Sequence, residues 1–81
     1  MSKEELLEEI FLKFAYVDFK NKPDWKGLNL FGSQLNVLPI YLVLVVINVE
    51  KVFGIRLKEQ DIIKEPFLSF NQMLLLIKSG T

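Results

Sequence analysis

Val37 to Ile47 is apolar without a break, and no charged residue occurs anywhere from Gly27 to Val49. Such a segment either crosses a bilayer or is buried inside a protein as a strand or a helix. A spanning helix takes about 20 predominantly apolar residues. The run here is about half that length, contains Pro39, and follows Asn29, Ser33, Gln34 and Asn36. A membrane span is therefore not expected. Val and Ile favour strands, and an apolar run alone does not separate strand from helix. Length does, because Pro39 to Phe53 would make about four helical turns and is too long for an ordinary strand. Pro39 suits the first turn, where its missing N–H costs nothing. Gly54 stands where a helix-terminating glycine belongs.

The flanking sequence supplies the rest of a helical domain. Ser2 followed by Glu5 fits a capping box, with acidic residues in the first turn. Leu6, Leu7, Ile10, Phe11, Phe14 and Val17 then recur at helical spacing, which predicts a first helix over residues 3–17. Asp18 to Gly32 holds Asn21, Pro23, Gly27 and Gly32 and has no sustained period. It reads as a long loop whose Trp25, Leu28, Leu30 and Phe31 tuck against the helices. Ile55-Arg56-Leu57 reads as an extended link, and Lys58 to Lys64 as a short helix ended before Pro66. Ser69 is the expected N-cap of a last helix that buries Phe70, Met73, Leu74 and Ile77. The expectation is one all-α domain over residues 1–81: three longer helices, one short helix, and a long loop between the first two.

Composition narrows what such a domain can do. Hydrophobic residues make up 51% of the 81, including seven Phe, which is dense enough for a packed core at this size. Ten basic residues balance ten acidic ones and are scattered, so the basic footprint of nucleic-acid binding is missing. There is no Cys, hence no disulfide and no thiol nucleophile. There is no His, which removes the usual general base and the commonest metal ligand. Glu4, Glu5, Glu8 and Glu9 lie in a helical charge run of the kind that faces solvent. No enzyme and no metal site are expected. Acidic residues follow Met1–Lys3 where a signal peptide would begin its apolar core, so the expectation is a cytoplasmic chain.

The order of elements, together with Val49-Glu50-Lys51-Val52-Phe53-Gly54-Ile55-Arg56-Leu57 at the end of the second long helix, resembles the acyl carrier protein family. The resemblance covers about residues 3–78 and implies a four-helix carrier-type bundle, with Glu59-Gln60-Asp61-Ile62 in its short acidic helix. In that family a serine opening the second helix, in an Asp-Ser-Leu motif, carries 4′-phosphopantetheine. A phosphodiester there meets free N–H groups and the positive end of the helix dipole. Counting back from Phe53, the motif falls on Leu38-Pro39-Ile40, so Pro39 stands at the carrier-serine position and offers no hydroxyl. The acidic neighbour is missing as well. Gly32-Ser33-Gln34-Leu35 loosely echoes the motif, which keeps Ser33 as an alternative attachment site. Accepting it would lengthen the second helix by six residues through Asn36 and Pro39. Leu42-Val43, Glu50-Lys51 and Phe67 through Asn71 are similar to the acyl-carrier-related proteins of bacterial peptide maturation systems, which also lack the usual serine. That likeness implies peptide-modifying or other biosynthetic enzymes, or a precursor peptide, as partners.

Helix geometry offers an independent reading of the second helix. At about 100° per residue, Leu42, Val45, Val46, Val49 and Phe53 share one face and form the natural core stripe. Ile40, Leu44, Ile47 and Lys51 fall nearly opposite. Carrier proteins have a strongly acidic outer face here; this one is mostly apolar. Either the helix is buried all round by the long loop, or the outer face binds a partner or a second copy. With only one loop to cover it, the interface is the expectation, and partner choice would follow shape and apolar burial more than charge. The function expected is a carrier-like binding or scaffold module without a cofactor. Two alternatives stand beside it: a true acyl or peptidyl carrier modified at Ser33, and a small helical dimerisation or membrane-associated protein.

Overall fold

The computed structural model describes residues 2–57 and 69–79. Within them the chain forms helix α1 (Lys3–Ala15), a 3-10 helix (Pro23–Gly27), helix α2 (Pro39–Phe53) and helix α3 (Phe70–Ser79). No strand occurs among the described residues. Among the described residues the structure is all-helical with three α-helices; the short helix expected at Lys58 to Lys64 lies outside them.

Each helix begins and ends for a local reason. At the start of α1, Ser2 Oγ accepts from the Glu5 N–H at 3.1 Å, and Glu5 Oε1 accepts from the Ser2 N–H at 3.2 Å. Two donors that a helix start leaves unpaired are thereby satisfied. Those bonds to Ser2 hold the Glu5 carboxyl below its ordinary value. The helix stops two residues earlier than periodicity alone predicts. Tyr16 takes the left-handed conformation (φ 60°) and its N–H donates to Phe11 O, so Val17 leaves the helix while staying buried. Helix α2 starts on Pro39 and ends on Gly54, which is left-handed at φ 64°. A side chain at Gly54 would meet no atom within 4 Å, so the backbone conformation alone calls for glycine there. Helix α3 is opened by Ser69, whose Oγ accepts from the Gln72 N–H at 3.2 Å.

Helix α1 is the centre of the packing, in contact with both α2 and α3, while the 3-10 helix rests against α3. The core takes Leu7, Ile10, Phe11 and Ala15 from α1, Leu42, Val45 and Val49 from α2, and Phe70, Met73, Leu74 and Ile77 from α3. Val46 and Phe53, also placed on the inner stripe, are partly buried against it.

The loop from Tyr16 to Leu38 is a substantial part of this core, giving it Val17, Phe19, Leu30 and Val37. The Phe19 ring stands edge-on to Phe11 at 5.1 Å and tilted against Phe70 at 4.8 Å; Phe11 and Phe70 are 5.7 Å apart. Three segments distant in sequence thus meet in one aromatic cluster. Leu30 is fully buried as expected, and Trp25 and Leu28 are partly so, but Phe31 is exposed. Its N–H is turned to Asn29 Oδ1 at 3.0 Å, in the tight turn that Gly32 N–H to Asn29 O closes at 2.9 Å. That geometry spends the inward position on Leu30 and sends its neighbour outward.

Candidate functional site

Helix α2 opens without polar equipment. Its N-cap is Leu38, which makes no side-chain capping bond, and its first turn has no acidic residue. Pro39 is the first helical residue, where its fixed φ suits the helix and its missing N–H removes no bond. No hydroxyl is therefore available on the chain at the position that the carrier likeness assigns to a serine. Ser33 is exposed and belongs to the turn between Asn29 and Asn36, outside any helix. The Asn36 N–H donates to Gly32 O at 2.7 Å, and Asn36 itself is left-handed (φ 49°), which breaks any continuation of α2 back to Ser33.

The outer face of α2 lies open. Ile40 is 60% exposed, Leu44 39% and Ile47 44%, and Lys51 is exposed at the C-terminal end of the same stripe. Val43, 51% exposed, completes the face between Ile40 and Ile47. The sequence held that signal, since positions 40, 43, 44 and 47 follow the i, i+3, i+4, i+7 pattern of one helical face. Single exposed aliphatic residues are ordinary on a protein surface, but a contiguous stripe along about two turns is not. Long polar side chains beside the stripe are engaged with the chain's own backbone. Asn48 Nδ2 donates to Leu44 O at 2.8 Å, and Glu50 Oε2 accepts from the Leu57 N–H at 2.9 Å. Glu50 therefore ties down the segment that follows Gly54.

Two shallow clefts adjoin α1, each about 210 Å³. One lies between α1 and α2, floored by Leu6, Ile10, Phe14 and Val52, with Glu9, Lys13 and Asn48 also lining it. The other is polar and is lined by Glu5, Glu8, Glu9, Leu12, Asp18, Lys20 and Asn21. Asp18 there is held below its ordinary carboxyl value by hydrogen bonds from the Asn21 side chain and backbone. Among the described residues no group of three or more acidic side chains is placed to hold a metal ion. None of the described helices is long and apolar enough to cross a membrane.

The strongest charged cluster joins three elements. Lys26, in the 3-10 helix, places Nζ 2.8 Å from Glu4 Oε2 and 2.7 Å from Glu8 Oε2, both on α1. The same ammonium stands 5.0 Å from the centre of the Phe70 ring on α3. Burial opposes its charge, but the hydrogen bonds and negative charges of Glu4 and Glu8 outweigh that, and its pKa is raised. No local pattern announces this pairing, because Lys26 lies 22 and 18 residues from its partners. Its effect is to clamp the loop onto the bundle.

Comparison of the chain with known protein families, with curated proteins and with solved structures returns no match.

Proposed function

We propose that this chain is an acyl-carrier-like binding or scaffold module without a phosphopantetheine arm, which engages a protein partner through the outer face of α2. The observation that carries the reading is the apolar stripe Ile40, Val43, Leu44 and Ile47, open to solvent on a helix whose opposite side is core. Pro39 at the head of α2 supports the absence of an arm, since nothing there can form the phosphodiester. The lengths of α1 and α2 and the long connection between them support the carrier likeness. On that likeness the partners are peptide-modifying or similar biosynthetic enzymes, or their precursor peptide, in a bacterial peptide maturation system. The module contributes a surface and no catalysis.

Two measurements test this. Leu44→Glu places a carboxylate on the outer stripe, where it stays hydrated and should change stability by about 0.5 kcal/mol or less. Val45→Glu, fully buried on the inner side, should unfold the domain, because an unpaired buried carboxylate costs several kcal/mol. Equal damage from the two in thermal melts would sink the exposed-face reading. Intact mass after incubation with coenzyme A and a promiscuous phosphopantetheinyl transferase should remain that of the unmodified chain. A mass gain mapped to Ser33 would replace the scaffold reading with that of a true carrier.

A further inference from the structure

We infer that the outer face of α2 closes on a second copy of this chain, forming a weak two-fold dimer that competes with partner docking. The inference rests on the proposed docking role of that face and names its occupant.

The first argument is charge. A two-fold interface brings a patch against itself, so any charge near the axis meets its own like. From Ile40 to Ile47 the face has none, and the next positions around the helix are Tyr41 and Asn48. Glu50, the nearest acid on α2, is bonded to the Leu57 N–H. On the stripe itself a partner recognised by charge would find only Lys51 to pair with, whereas a neutral apolar partner finds the whole stripe. The second copy is such a partner.

Register follows from the same residues. With the axis passing near Leu44 and the helices antiparallel, Ile40 of one copy lies beside Ile47 of the other. The two Lys51 side chains are then about 20 Å apart along the pair, at 1.5 Å rise per residue. A parallel pairing would instead place the two ammonium groups side by side.

Area sets the strength. The four aliphatic residues of the stripe, with the stem of Lys51, offer roughly 400 Å² per copy, or about 800 Å² in a pair. That is the size of weak, transient contacts, so the dimer leaves the face accessible when dilute. Partner capture and self-association then draw on the same residues and exclude one another.

Sedimentation of the full chain from about 10 μM to 1 mM tests the proposal. A monomer–dimer equilibrium weakened more than tenfold by Leu44→Glu is the expected result. The chain has no cysteine, so single-cysteine variants report without background. Leu44→Cys should form a disulfide-linked dimer on oxidation, and Lys51→Cys should not. A monomer throughout the range overturns the proposal, as does a dimer that survives Leu44→Glu or links through position 51. The two levels separate cleanly. If the wild type is monomeric but Leu44→Glu melts normally, only the choice of occupant fails. If Leu44→Glu unfolds the chain, the open face itself does not exist.

Discussion

At the scale of single residues, Lys26 ties three elements together through two carboxylates and an aromatic ring. Its side chain is 14% exposed and Glu8's is 12%, so this half of the cluster is largely withdrawn from water, while Glu4 at 47% remains at the surface. Removing the ammonium leaves the Glu8 carboxylate partly buried without a cation. Lys26→Met should therefore destabilise by about 1–3 kcal/mol, less than for a fully buried pair because Glu4 is hydrated. For a domain of this size that lowers Tm by roughly 5–20 °C. Adding Glu8→Leu should restore most of the loss, since the stranded charge goes with it. Equal melting of Lys26→Met and wild type would show that the cluster contributes nothing. The raised Lys26 pKa places the pH dependence of this contribution outside the neutral range. It is complete below the ordinary lysine value of 10.5 and is lost only as pH rises through the higher folded value.

At the scale of elements, the contrast is between two helix starts. Helix α1 has a full capping box; α2 has a hydrophobic N-cap with no capping bond. Leu38→Asp would supply the missing acceptor and a negative charge at the positive end of the dipole. Leu38 is half-exposed, so the burial it gives up offsets part of the cap, and the expected net gain is at most about 1 kcal/mol, or a Tm higher by at most roughly 4–8 °C. The measurement belongs at a dilution where the chain is monomeric; a lower Tm there would mean that Leu38 has a packing role. This contrast also marks what is legible in the sequence. Ser2 with Glu5, Pro39, Gly54 and Ser69 act on residues within four positions of themselves, so they announce three helices locally. The early stop at Tyr16, the 3-10 helix and the inward turn of Phe19 depend on partners far along the chain. Nothing local distinguishes Phe19, which is buried, from Phe31, which is exposed. The outer stripe of α2 was readable by spacing, with Val43 as the member that a coarse count of faces passes over.

At the scale of the molecule, the core is assembled around α1 from parts that make few contacts of their own. The aromatic cluster is the clearest case, since Phe11, Phe19 and Phe70 come from α1, the loop and α3. Loss of the Phe19 side chain removes two ring contacts and leaves a void among fully buried neighbours. Phe19→Ala should cost about 3–5 kcal/mol. A domain of this length has a total stability of roughly 4–12 kcal/mol, so the variant should be partly or wholly unfolded at 37 °C. Circular dichroism at 222 nm reads that directly, with Phe31→Ala as the exposed-ring control expected to stay within about 0.5 kcal/mol of wild type. Similar losses from the two would mean that the cluster is not what binds the loop to the helices.

The position of Phe70 in α3 has a consequence for how the chain is made. A ribosome delivers Phe11 and Phe19 first, then the uninterrupted apolar segment Val37 to Ile47, and only afterwards the ring and helix that complete their packing. Domains generally fold as units during synthesis, so until α3 emerges the nascent chain holds its most insoluble stretch with part of its shelter missing. Apolar surface left without its partner in this way is what makes a partly made chain prone to aggregate.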